Sequence, residues 1–155
     1  QPRSRGLGDV YKRQGLPVIA AGGIASAEQV NALLAMGAAG VSVGTALLTT
    51  AESSACDAHR YYAEFGTACD TVLTRIYNGR LSRVLRNALV EALDDWELMT
   101  AGYPAQKALM GPLDRCASEV GRNDLVMLPL GQSAGRSAYR RTADCVHALF
   151  PRRAD

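Results

Sequence analysis

Gly15-Leu16-Pro17-Val18-Ile19-Ala20-Ala21-Gly22-Gly23-Ile24-Ala25-Ser26, the run GLPVIAAGGIAS at residues 15–26, decides the fold. Its apolar half, Pro17 to Ala21, ends in a glycine pair, the pattern of a short strand buried on both faces of a parallel sheet. To the right, Ser26 and Gln29 form a capping box, and Val30, Leu33 and Leu34 give an apolar stripe at helical spacing. Gly37 supplies the helix stop. Gly40 to Leu48, GVSVGTALL, reads as a second buried strand. The sum is one β-α-β unit, right-handed by default.

To the left the texture changes at once. Ser4 to Gln14, SRGLGDVYKRQ, has no apolar period of either kind. It back-translates without a break into DNA of a transposase-type sequencing-library adaptor. Residues 1–14 are therefore expected to be adaptor-derived and are set aside from fold reasoning. The natural chain is then expected to start near Gly15 with its N-terminal part missing.

This exclusion also resets the charge. The sequence holds 17 Lys and Arg against 15 Asp and Glu. Taking away Arg3, Arg5, Lys12, Arg13 and Asp9 leaves 13 against 14, a net charge of −1. The remaining balance gives no reason to expect a nucleic-acid partner. No apolar run approaches the ~18 residues of a membrane span, so a soluble, cytoplasmic protein is expected. Cys56, Cys69, Cys116 and Cys145 are widely spaced with no C-x-x-C, which disfavours a metal or redox motif and suits reduced, buried or half-buried thiols.

Beyond Leu48 the sequence turns helical. Glu52 to Phe65 is expected to be a helix stopped by Gly66, and Asn78-Gly79 a turn. Leu85, Leu89, Leu93 and Trp96 mark one face of a helix from about Ser82. Tyr103-Pro104 opens another, interrupted at Gly111-Pro112 and finished by Gly121. After a loop at Gly131-Gln132-Ser133-Ala134-Gly135, Tyr139, Ala143, Val146 and Phe150 line a last amphipathic helix.

The chemistry sits in the glycines. Parallel neighbouring strands place the Gly22-Gly23 and Gly44-Thr45 ends on one face, ~5 Å apart. Glycine lets main-chain N–H groups approach an anion with no Cβ in the way, and Thr45 adds a hydroxyl, which makes a phosphate cradle. In (β/α)₈ barrels phosphates frequently bind at the loops after the last two strands. A tight turn at Gly22-Gly23 and a packing glycine at Gly44 account for the same residues equally well.

The blocks PVIAAGGIAS, GAAGVSVGTALL, TVLTRIYNGRLSRVLRN, YPAQKALMGPL and LGQSAG are similar, in order and spacing, to the nitronate monooxygenases, formerly called 2-nitropropane dioxygenases. The resemblance covers nearly all of Gly15 to Gly135. It implies an α/β fold, the C-terminal fragment of an FMN-binding (β/α)₈ TIM barrel contributing the last two strands, with an inserted, mostly helical substrate-side domain. The expected division is 1–14 adaptor-derived, 15–48 the barrel β-α-β piece, 49–127 the inserted domain, and 128–155 the flavin-side loop and final barrel helix. By the same resemblance Gly22, Gly23, Gly44 and Thr45 hold the FMN phosphate, and the Gln132-Ser133 loop lies against the flavin. The implied reaction takes a small-molecule alkyl nitronate and dioxygen to a carbonyl compound and nitrite. The family's catalytic base is a histidine before the seventh strand, which falls upstream of Gly15, so no catalytic residue is assigned within this chain.

Two other readings stay open. The flavin-dependent enoyl-acyl-carrier-protein reductases carry nearly the same glycine loops and are set apart by a nicotinamide requirement. A non-catalytic truncated fragment is the other. His59 and His147 are expected on helices away from the glycine loops, in surface or packing roles. Arg83, Arg86 and Asn87, in the matching block RVLRN, are expected on the helix from Ser82 as a patch near the active-site mouth, a solvated face or domain contacts being the alternative. Tyr77 and Tyr103 are expected to pack in the core or a lid.

Overall fold

The computed structural model describes residues 15–136 and 138–151. Residues 1–14, on which the adaptor expectation falls, lie outside the described residues.

The β-α-β unit forms as its sequence dictates. Strand β1, Ile19–Ala21, pairs in parallel with β2, Gly40–Ser42, in the register Ile19↔Gly40, Ala20↔Val41, Ala21↔Ser42. Helix α1, Ala27–Ala35, joins them. Its capping box is present: the Gln29 N–H donates to Ser26 Oγ at 3.4 Å, and Gln29 Oε1 accepts from the Ser26 N–H at 3.1 Å. At the other end Gly37 takes φ +92°, and the Gly37 and Ala38 N–H groups donate to the Leu34 and Leu33 carbonyls. This is the double closure that satisfies a helix's last carbonyls.

Two expectations fail here. β2 stops at Ser42, and Thr45–Leu47 form a 3₁₀ turn instead of more strand, because Gly44 leaves the extended region at φ −121°, ψ −67°. Nor are the strands buried on both faces. Ile19 is 56% exposed, since β1 and β2 form a two-stranded sheet with no further strand on it among the described residues.

Helix α2, Asp57–Phe65, is shorter than the expected Glu52–Phe65. The Arg60 guanidinium competes for the preceding backbone, donating to the Thr50, Ser53 and Ala55 carbonyls and holding residues 50–55 as a loop. The largest revision follows. Strands β3, Thr71–Thr74, and β4, Ser82–Leu85, form an antiparallel pair where a helix was expected from Ser82. Thr71, Val72 and Val84 are β-branched and pair across the hairpin. Gly79, at φ +77°, turns the expected Asn78-Gly79 connection. Helix α3, Ala88–Leu93, starts only after Asn87, whose Oδ1 accepts from the Val90 N–H, and a 3₁₀ turn over Asp94–Met99 follows. Leu85 is therefore a strand residue and Trp96 is 60% exposed, so no single helical face joins them. Arg83, on β4, and Asn87, at the cap, likewise share no helix.

Helix α4, Ala105–Glu119, runs through Pro112 without the expected interruption. One missing N–H at an exposed turn costs too little to break fifteen residues of helix. Helix α5, Thr142–Leu149, buries Cys145 and Leu149, the i, i+4 pair, while Val146 and Phe150 stay 45% and 46% exposed. The expected face is thus corrected by about a third of a turn. The cysteines also divide: Cys145 is buried, whereas Cys56, Cys69 and Cys116 are exposed free thiols.

Three apolar clusters hold these parts. Ile24, Val30, Ala46, Cys145 and Leu149 fasten α5 onto the β-α-β unit. Ala63, Leu85, Ala117, Leu128 and Leu130 join α2, β4 and α4 to the segment after α4. Ile76, Tyr77, Val84 and Val90 fill the hairpin side. At roughly 1.5–3 kcal/mol per fully buried large apolar side chain, each cluster fixes its elements more firmly than their short backbone ladders do. Among the described residues no helix is long and apolar enough to cross a membrane.

Candidate functional site

The C-terminal ends of β1 and β2 open into a cleft of about 230 Å³. Gly22, Gly23, Gly44 and Thr45 all line it, as parallel pairing requires, and Ser133 and Gly131 reach it from the far end of the chain. Gly22 and Gly23 both lie in the left-handed region, at φ +97° and +71°, which side chains with a Cβ resist. A Cβ built at Gly22, Gly23 or Gly44 would meet nothing within 4 Å, so these backbones face open space. Among the described residues no hydrogen bond takes up the Gly23 or Gly44 N–H.

Thr45 links the two sides of the cleft. Its Oγ1 accepts from the Gly131 N–H at 2.9 Å. Because that oxygen accepts, the hydroxyl proton is free to donate, and among the described residues it has no acceptor. Gly131 is the residue that sequence reasoning missed. A Cβ there would stand 3.0 Å from Thr45 Oγ1 and 3.8 Å from the Gly23 nitrogen, so a side chain would press on the Thr45 hydroxyl. The signal in the sequence is the first glycine of LGQSAG, directly before the polar pair.

Gln132 and Ser133 separate. Ser133 is 6% exposed and lines the cleft; Gln132 is exposed and turns to a neighbouring hollow beside Glu64, Phe65 and Thr67. Two hydrogen bonds from α2 hold this loop. His59 Nε2 lies 2.6 Å from the Pro129 carbonyl, and the Gly135 N–H donates to the Ala63 carbonyl at 3.0 Å. His59 is a packing residue, as expected, but a buried one; burial lowers its pKa below 6.5, and the Pro129 carbonyl only partly opposes this. His147 is exposed in the last turn of α5 and lines no part of the cleft. Tyr77 is core, with its hydroxyl shared between Asn87 Oδ1 and the Val126 carbonyl, while Tyr103 is 47% exposed under Arg80. Arg86 is exposed. None of Arg83, Arg86 and Asn87 lines the cleft.

The arrangement can hold an oxyanion. It offers unpaired backbone N–H groups, a free hydroxyl proton and glycine surfaces that allow close approach. Among the described residues no charged side chain lines it, so an anion there would be met by dipoles. A whole flavin exceeds such a volume, whereas a phosphoryl group with the start of its ester chain suits it.

The chain is similar to proteins bearing one name and its relatives. A probable nitronate monooxygenase of Staphylococcus aureus strain Newman is 36% identical over 118 residues, 76% of this chain and 33% of that protein. The chain thus spans about a third of the length of the curated relatives it matches. A nitroalkane oxidase from Streptomyces ansochromogenes superposes with a TM-score of 0.81 at 32% identity, covering 92% of this chain and 41% of that one. FabK from Thermotoga maritima follows with a TM-score of 0.73 at 28% identity, over 92% and 45% of the two chains. The family profile described as nitronate monooxygenase matches residues 6–149, beginning within the segment read as adaptor-derived, and on this match the chain belongs to the nitronate monooxygenase family.

Proposed function

We propose that this chain is the C-terminal part of an FMN-dependent enzyme that oxidises alkyl nitronates with dioxygen, and that residues 15–48 supply the last two strands of its (β/α)₈ barrel. One observation carries the reading: the glycine ends of two parallel strands, Thr45 and the Gly131–Ser133 loop converge on one oxyanion-sized cleft in a chain of this family. Residues 49–127 are then the inserted substrate-side domain and 128–155 the flavin-side loop with the closing helix.

The residues present fit a phosphorylated cofactor by a test of this structure. The cleft is walled by glycine backbone that a Cβ at Gly131 would crowd, and among the described residues its hydrogen-bonding side chains are hydroxyls, those of Ser42, Thr45 and Ser133. FMN, when bound, supplies the redox chemistry. The Gly23 and Gly44 N–H groups would bind the phosphate, the Thr45 hydroxyl would donate to it, and Ser133 would orient what lies next to it. Gln132, on the same loop, turns away in this chain and reaches the flavin only if the loop adjusts. No group here is placed to move the substrate proton; His59 is engaged with Pro129 and His147 sits on the outer helix.

The likeness to FabK keeps the flavin-dependent enoyl-acyl-carrier-protein reductase as the second reading, with the smaller TM-score and identity. Assay of the full-length protein carrying this chain separates them. Oxygen consumption and nitrite release with an alkyl nitronate, without added nicotinamide, is expected. NAD(P)H-dependent reduction of an enoyl thioester without nitronate turnover would move the assignment to the reductase, and neither activity in an intact, flavin-loaded protein would leave a non-catalytic chain.

A further inference from the structure

A second hollow, of about 710 Å³, lies between the β3–β4 turn and α4 and shares no lining residue with the glycine cleft. Its construction follows from two local features. Gly79, at φ +77°, lets the turn lie against residues 101–103; a Cβ there would stand 2.4 Å from the Ala101 carbonyl oxygen. That contact brings Arg80 over Tyr103, with the guanidinium carbon 3.9 Å from the ring centroid. The cation is thereby held over the ring at the rim, and among the described residues no hydrogen bond takes up its side-chain N–H groups. Across the hollow, Lys107 and Arg115 line the wall from α4, with Gly111 between them.

The charges around this hollow do not cancel. Arg80, Lys107 and Arg115 form no ion pair among the described residues, and the single carboxylate among the described wall residues, Asp114, accepts from the Met127 N–H at 2.8 Å. Three cations against one carboxylate leave an excess of two positive charges. Between them the floor is apolar: Met110 and Met127 with the Tyr103 ring. Thioether side chains adapt to an apolar ligand of irregular shape. A purely solvated charge patch would lack such a floor, and a purely apolar groove would lack the cations.

We propose that this hollow is a binding site for an organic anion, one anionic head on an apolar body, with the head among Arg80, Lys107 and Arg115 and the body on Tyr103, Met110 and Met127. It is distinct from the cofactor cleft and does not depend on the flavin reading.

Phenyl phosphate is the probe, titrated by calorimetry into the full-length, flavin-loaded protein carrying this chain. Saturable binding in the millimolar range or tighter is expected, weakening as salt rises. Inorganic phosphate and benzyl alcohol, each carrying half of the chemistry, should bind at least about tenfold more weakly. Lys107→Met and Arg80→Gln should each weaken phenyl phosphate by about tenfold, the scale of one charge-assisted hydrogen bond, while Lys107→Arg restores it. Both positions are exposed, so flavin content and thermal unfolding should stay unchanged in these variants. Absence of saturable binding overturns the proposal. So does inorganic phosphate binding as tightly as the ester, or affinity that survives both variants but is lost in Gly23→Val, which would put the anion in the glycine cleft. A protein that binds phenyl phosphate at Arg80 and Lys107 but takes up no FMN would count against the cofactor reading alone.

Discussion

Replacing Thr45 by Val tests the phosphate cradle with little change of shape. The side chain keeps its branch and volume, and only the hydroxyl goes. Two hydrogen bonds go with it: the one from the Gly131 N–H at 2.9 Å, and the one the free hydroxyl proton would make to a phosphoryl oxygen. The second is charge-assisted and worth about 1.5–3 kcal/mol, because the acceptor is anionic. The first contributes ~1 kcal/mol and acts indirectly, by holding the Gly131 loop against the strand ends. Since 1.4 kcal/mol is tenfold in affinity, FMN should bind roughly ten- to a hundred-fold more weakly even if part of the loss is recovered by relaxation. The assay is quenching of flavin fluorescence on titrating FMN into the full-length apoprotein. Thr45→Ser, which keeps the hydroxyl, should stay within about threefold of the parent. Unchanged affinity in Thr45→Val would show that the phosphate is held elsewhere; Thr45→Ser as weak as Thr45→Val would show that the methyl group, not the hydroxyl, matters.

Asn87→Ala should cost about 2–4 kcal/mol in urea unfolding, because it strips the cap from α3 and leaves the buried Val90 N–H and Tyr77 hydroxyl short of partners; Asn87→Asp keeps the cap and should lose less. Gly135→Ala should destabilise by at least ~2 kcal/mol, since the residue sits at φ +75° and a Cβ would lie 2.3 Å from the Gly66 carbonyl oxygen; a melting temperature equal to the parent's would mean the loop is free to shift. His59, held neutral by burial, has a folded-state pKa below its unfolded value of 6.5, so its share of stability is full above 6.5 and is lost as pH falls from there toward the lowered value. Unfolding curves at stepped pH should show that decline, and His59→Gln should flatten it. Replacement of Gly23 by Val should weaken FMN binding, now for two reasons: the branched side chain would intrude on the cleft, and φ +71° is a backbone that valine resists.

Where one element alone determined its own conformation, the sequence was sufficient. The Ser26–Gln29 box and the Gly37 closure follow from residues within a few positions of one another, and the short helix between them leaves β1 and β2 to pair in parallel. The region from Thr71 to Met99 was illegible for the opposite reason. Leucines at 85, 89 and 93 recur at helical spacing, yet Val84 and Leu85 are claimed by β3, by the Leu128 carbonyl and by Pro129, partners more than ten residues away in either direction. Periodicity cannot register a partner that has not yet been placed. The same limit explains Arg60: a long cation on a polar helix reads as solvated until the loop it holds, residues 50–55, is seen folded back over it.

The site shows where that limit bites for function. Gly22, Gly23, Gly44 and Thr45 could be placed together from sequence because parallel strands oblige their ends to share a face. Gly131 could not, since its role depends on an 86-residue return of the chain to Thr45. That return is enforced from outside the cleft, by His59 on Pro129, by Ala63 on Gly135, and by α5 packing Cys145 and Leu149 onto α1 and the 3₁₀ turn. The cradle is therefore a composite: half is written locally in two strand ends, and half is delivered by helices that never touch it. Substitutions in α2 at His59 or Ala63 should consequently weaken the cleft through the loop alone, leaving the strand-end glycines in place. On the proposed reading the strand ends alone would not hold the anion at full strength, because the Gly131 N–H that fixes the Thr45 hydroxyl comes from the returning loop.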